Sequence, residues 1–283
     1  MHLVPGQVRS TRWRGAALAV GSLLLALGGC VHVGPPVPPQ GPRNSSDGKD
    51  LATASDQTAA DRLAKTRMDL AVAYFGRGQP KDALDEVKLA LVARPDSPDA
   101  YALRGLIYAA LAEPATADES FRRAKELAPH NADVMQNYGW FLCQQKRFPE
   151  ADAQFAAAIA EPTYTEQARS MLTRGVCQAR AGQWAESERT LSKAYELDPG
   201  NPTTAVNLSQ VLYKNGQYER ARFYIRRVNT KDELVSAQTL WLSAQIERKL
   251  GQEDQVQDMG AQLHKRFPNA QETLLFDKGK FDE

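Results

Sequence analysis

From about residue 64 onward, apolar residues recur at three- and four-residue intervals in short runs, each closed by a polar or glycine-bearing break. That is the period of one face of an α-helix, not of a strand. The clearest stretch is residues 98–131. Tyr101, Gly105 and Tyr108 share one face of a first predicted helix, Ala117, Phe121 and Ala124 share one face of a second, and Pro129 closes it. In a 34-residue frame these are places 4, 8, 11, 20, 24, 27 and 32. Gly105 and Ala117 withhold bulk where the helices would come closest, the aromatics fill the space beside them, and proline cannot continue a helix. One such hairpin cannot bury its apolar faces, so neighbours of the same kind must stack on it.

The frame extends in both directions. Residues 64–97 carry Ala71, Tyr74, Ala83 and Val87 in register, with Arg67 at place 4, and residues 132–165 carry Met135, Tyr138, Gly139, Ala151 and Phe155. A fourth unit, 168–201, starts two residues late, the extra pair falling in the loop around Tyr164 and Gln167. Units 202–235 and, more degenerately, 237–270 follow; Gly78, Gly182, Gly216 and Gly251 mark their helix-joining turns. Residues 271–283 are expected to begin as a short helix over the last repeat and to fray after Lys278. This grammar resembles the tetratricopeptide repeat. It predicts an all-α, right-handed superhelical solenoid of about six helix–turn–helix units with a C-terminal capping segment, spanning residues 61–283.

Charge changes the picture little, and the first sixty residues change it more. The 283 residues include 35 basic and 34 acidic side chains with no block of like charge, so there is no electrostatic footprint for nucleic acid. Residues 1–29 read as a signal peptide: Arg9, Arg12 and Arg14 precede an apolar run over 16–27 that is too short to span a bilayer. Leu27-Gly28-Gly29-Cys30 resembles the lipobox of bacterial lipoproteins, which implies S-diacylglycerol and N-acyl lipid on Cys30, the thiol being the nucleophile that takes it. An ordinary signal peptide with an incidental cysteine is the alternative. Val31 follows, where in the lipoprotein family Asp signals inner-membrane retention, so the implied location is the periplasmic face of the outer membrane. Residues 30–60, with Pro35, Pro36, Pro38, Pro39 and Pro42, form a linker that cannot bury enough apolar area to fold.

No constellation for catalysis is legible. His2, His32, His130 and His264 have no metal-ligand spacing, and there is no phosphate-cradling glycine loop, nucleophile elbow or C-x-x-C. Acidic residues read as solvated helix faces. These features predict a binding protein, monomeric, with no metal and no cofactor besides the lipid. Helical geometry turns places 2, 5, 9, 12 and 13 of each first helix toward a concave groove, which nominates Gln136, Trp140, Gln144, Leu172, Arg180, Tyr213 and Trp241 as partner-binding residues. Exposed aromatics with Arg are common at binding centres, although Trp140 and Trp241 could instead pack between repeats. The pairs Lys65/Asp69, Asp99/Leu103 and Asp133/Asn137 at places 2 and 6 do not make a clamp for a peptide carboxylate. Cys143 and Cys177, at places 12 and 10 of adjacent first helices, could form a disulfide in an oxidising compartment or remain two buried thiols.

The run Asn137-Tyr138-Gly139-Trp140-Phe141-Leu142-Cys143, with Gly175-Val176-Cys177 in the next repeat, is more specific than repeat grammar. It resembles the PilF/PilW family of type IV pilus biogenesis and stability lipoproteins, and the likeness extends over the lipobox, the linker and the array from about Asp61 to Phe276. The resemblance implies a pilotin, a lipoprotein that binds the secretin subunit, helps it reach the outer membrane and promotes its multimerisation. Its implied partners are the secretin, other pilus assembly proteins, and the membrane through the lipid anchor. The long Pro-rich linker and Arg67 depart from the family pattern. Two other classes stay open: a lipid-anchored scaffold of another envelope machine, such as cell-wall synthesis or outer-membrane protein assembly, and an enzyme carried on a repeat platform.

Overall fold

The computed structural model describes residues 58–281. Within them the chain forms six helical hairpins and a short closing helix: α1 (Ala59–Gly76) with α2 (Pro80–Ala93), α3 (Pro98–Ala110) with α4 (Pro114–Leu127), α5 (Ala132–Gln144) with α6 (Phe148–Ala160), α7 (Gln167–Arg180) with α8 (Trp184–Leu197), α9 (Pro202–Lys214) with α10 (Tyr218–Asn229), α11 (Ala237–Lys249) with α12 (Glu253–Arg266), and α13 (Gln271–Asp277). Each first helix packs on its own second helix and on the first helix of the next repeat, so the core grows by stacking.

The closest approach within the first four hairpins is set by reciprocal volumes at places 8 and 24. A Cβ on Gly105 would stand 2.8 Å from the Phe121 ring, one on Gly139 3.0 Å from Phe155, and one on Gly175 2.6 Å from Leu191. Where place 24 is the smaller Val87, place 8 is Ala71, and both are fully buried. Since interiors are close-packed, glycine is required only where the facing side chain is large.

Caps and turns fix the register. The Asn131 side chain accepts from the N–H groups of Asp133 and Val134, and Asn201 does the same for Thr203 and Thr204, satisfying donors that a helix start leaves unpaired. Thr58 and Asp61 form a capping box, so α1 starts at Ala59, slightly ahead of the boundary expected at residue 61. Gly78, Gly182, Gly216 and Gly251 hold positive φ of 69–77° at place 15, and in repeats two and three that left-handed position is taken by Ala112 (60°) and Lys146 (59°).

Acidic side chains expected on solvated faces prove to tie repeats together. At place 21, Asp118 accepts from the Tyr138 hydroxyl (2.9 Å) and Arg147 (2.7 Å) of the next repeat. Asp152 takes two bonds from Arg174 (2.7 and 2.8 Å) and one from Gln178, and Glu188 accepts from Asn215 (2.7 Å) and Gln217 (2.6 Å). At repeat five the polarity inverts: Arg222 stands at place 21, and it and Arg226 pair with the buried Glu247 of α11. Arg67, where other repeats carry an aromatic or apolar residue at place 4, pairs with Glu86 at 2.9 Å. These bridges cross between helices, and partial burial spares them the screening that weakens exposed pairs.

The expected fraying after Lys278 does not occur in the described chain. Phe281 is 7% exposed, stacked on Trp241 at 5.0 Å.

Candidate functional site

Repeats three and four meet across the two-residue slip, and a partly buried polar chain spans it. The hydroxyls of Tyr164 and Ser170 lie 2.9 Å apart, Ser170 donates to the Gln136 carbonyl oxygen (2.6 Å), and the Gln136 amide donates to Thr173 (3.1 Å). Cys143 of α5 is joined to Cys177 of α7, with their Cα atoms 5.9 Å apart. A strut of hydrogen bonds and a covalent tie thus hold these two first helices together.

Beside the strut lies a cleft of about 120 Å³ lined by Gln136, Asn137, Trp140, Arg169, Leu172, Thr173 and Val176. Trp140 is half-buried and packs against the apolar clusters of both repeats. The Arg180 guanidinium lies 4.8 Å from its ring centroid, a cation–π distance. Loss of solvent there lowers the Arg180 pKa from its ordinary value, since burial disfavours a charged form. The arrangement offers an indole face and a partly desolvated cation beside the amide of Asn137, the hydroxyl of Thr173 and the charge of Arg169. Such a set suits a protein segment, not bond-making chemistry. Among the described residues, no group of three or more His, Cys, Asp or Glu side chains is placed to hold a metal ion.

The structure divides the residues nominated for the groove. Trp140 lines the cleft, Arg180 lies over its ring, and Gln144 is exposed at the end of α5. Gln136 (4% exposed) and Leu172 reach it only at its floor. Tyr213 and Trp241 are buried, which corrects their assignment as open groove residues. Tyr213 packs in the core of repeats four and five and against Tyr218 at 5.6 Å; Trp241 is covered by Phe281. Gln136 and Leu172 are buried because place 5 faces the following repeat more than the concavity; Trp241 holds the same place but its cover is Phe281, and Tyr213, at place 12, is enclosed by side chains of repeats four to six. Asn137, Arg169 and Thr173 were not nominated. They occupy places 6, 2 and 6, and reading those places through the fourth repeat would have found the latter two. Cys30 lies outside the described residues.

Similarity to known proteins agrees with this architecture. Models of the tetratricopeptide repeat match residues 68–132 and 141–202 and, separately, residues 178–240. The chain is 28% identical over 259 residues to the type IV pilus assembly protein PilF of Pseudomonas aeruginosa, covering 91% of this chain and 96% of that one. A crystal structure of PilW, described as a widely conserved type IV pilus biogenesis factor, superposes with a TM-score of 0.70 at 30% identity, over 75% of this chain and 97% of that one. A structure of Pseudomonas aeruginosa PilF gives a TM-score of 0.67 at 27% identity, over 78% and 100%. The fold and the repeat matches define a tetratricopeptide repeat protein. The chain belongs to the PilF/PilW family of type IV pilus biogenesis.

Proposed function

We propose that this protein acts as a pilotin of the type IV pilus: a lipoprotein anchored through Cys30 on the periplasmic face of the outer membrane, which binds the secretin and promotes its outer-membrane localisation and multimerisation. The observation that carries the reading is the end-to-end likeness to a pilus assembly protein, 91% of this chain against 96% of that one. The cleft between repeats three and four is the proposed contact. Trp140 offers a large ring that is already held on one side, so little rotamer freedom is lost on binding, and Arg180 can pass from the indole to a partner ring or carboxylate. Two or more acyl chains on Cys30 would anchor the protein stably where one would not. The Pro-rich linker would let the array work at a distance from the lipid.

The reading is tested in cells whose gene is replaced by a Cys30→Ala form or deleted. Secretin multimers should fall in both and secretin should be mislocalised, while pull-down of the wild-type protein from detergent-solubilised envelopes should bring down secretin. Normal multimers in the deletion strain, or recovery of cell-wall or outer-membrane assembly proteins in place of secretin, would reject it in favour of a scaffold for another envelope machine.

A further inference from the structure

At the end of the stack the chain folds one of its own residues, Phe281, onto Trp241 of the sixth repeat. Inside the array, place 5 of each first helix faces the next repeat; after repeat six the described residues supply only α13, which ends at Asp277, and the turn beyond it. α13 seats the Phe276 ring 2.2 Å from where a Cβ on Gly260 would be. Trp241 is covered by Phe281, reached through a turn at Gly279 (φ 63°). Phe281 is stacked between the Trp241 ring at 5.0 Å and the Arg248 guanidinium at 4.7 Å, and its carbonyl oxygen accepts from the Gln245 amide at 2.8 Å. Lys278, Gly279 and Lys280, which lead to it, are exposed.

Gln245 shows that this occupant satisfies only half of the site. The residue is 2% exposed, and its Oε1 is buried without a hydrogen-bond partner. A buried acceptor left unmatched is costly. A peptide in extended conformation presents a C=O and an N–H that together match both ends of a side-chain amide, as strand edges do when they recognise a ligand's main chain.

We propose that Trp241, Gln245 and Arg248 form a docking site for an aromatic residue in an extended segment of a partner protein, and that Phe281 is its displaceable resident. The ligand class follows from the three groups. Trp241 and Arg248 take the two faces of a ring, Gln245 donates to that residue's carbonyl, and its free Oε1 receives an N–H that the tail does not supply. Phe276 meets the Phe281 ring edge-on at 5.5 Å but is seated against Gly260, so release of Phe281 leaves that seat of α13 in place. The site is separate from the Trp140 cleft and does not depend on the secretin reading.

The test uses the full chain in detergent and a fluorescent peptide, Asp-Lys-Gly-Lys-Phe-Asp-Glu, the sequence of residues 277–283. Phe281→Ala opens the site, and Phe281→Leu keeps an apolar filler without a ring. The open variant should bind the peptide saturably, the Leu variant more weakly, and the wild type at least about tenfold more weakly than the Ala variant, since a tethered competitor acts at high effective concentration. Replacing Phe by Ala in the peptide should abolish binding, and adding Arg248→Ala to Phe281→Ala should weaken it. Equal binding to wild type and open variant, no binding to a folded open variant, or no effect of Arg248→Ala would overturn the proposal. So would unfolding of both Phe281 variants, which would make the tail a structural cap and not a latch.

Discussion

The ring of Phe276 fills the space that any side chain on Gly260 would need, its nearest atom 2.2 Å from an ideal Cβ. Gly260 stands at place 24, where the earlier repeats carry Val87, Phe121, Phe155, Leu191 and Ile225 pointing inward. The sixth repeat therefore leaves a hole at the place where the others have a knob, and the closing helix supplies the knob. Gly260→Leu should expel Phe276 and cost about 2–4 kcal/mol. Adding Phe276→Ala should recover part of the loss, with a coupling of about 1–2 kcal/mol. Chemical denaturation of the four proteins of the cycle measures both.

Ala112 and Lys146 hold a left-handed backbone that the other four hairpins give to glycine. A side chain in that region is strained by about 1 kcal/mol, and glycine relieves the strain while loosening the unfolded chain. Ala112→Gly and Lys146→Gly should each raise stability, by roughly 0.5 kcal/mol, with additive effects because the two turns lie in different repeats. Thermal melts read this, and a loss of stability at either site would contradict it.

Asp152 is held below the usual carboxylate range by its paired bonds from Arg174, and Glu188 is lowered too: burial pushes it up, but Arg220, Asn215 and Gln217 outweigh that. A carboxyl whose folded pKa is depressed contributes stability that is present above its unfolded pKa and is lost as pH falls through the folded one. The array should therefore keep a flat stability near neutrality and lose it below about pH 4. Asp152→Asn should flatten that acid slope, and an unchanged slope would show that the bridges between repeats do not set it.

The bond between Cys143 and Cys177 spans a separation of 34 residues. In the chain-entropy description such a loop contributes about 3–4 kcal/mol. Denaturation of the Cys143→Ser, Cys177→Ser protein against wild type should show a loss of that order, and the same shift should appear on adding reductant to wild type alone.

How much was legible beforehand follows from how far apart the deciding residues lie. Small residues such as Gly105 and Ala117 at places 8 and 20, with aromatics beside them, are a signal within one hairpin, and the helices and their pairing follow from it. The place-21 bridges were missed because Asp118, Asp152 and Glu188 each look like a polar helix face until the next repeat brings Arg147, Arg174 or Gln217 against them. Tyr213 and Trp241 were misassigned for a related reason. A helical wheel gives the direction of a side chain on its own helix but not what the neighbouring repeat, or in the case of Trp241 the returning Phe281, places over it. Trp140 was legible because its place 9 lies beyond that cover.

The central claim is that the cleft of repeats three and four is where the pilus partner binds, and Trp140→Ala tests it most directly. Affinity of the full-length protein for purified secretin should fall by about 2 kcal/mol if the ring is an anchor. The unfolding midpoint is measured on the same sample, because a ring that serves only packing would register there instead. A protein that stays folded and loses secretin affinity is the predicted result. A folded Trp140→Ala protein with unchanged affinity, in cells that still form normal secretin multimers, would contradict it.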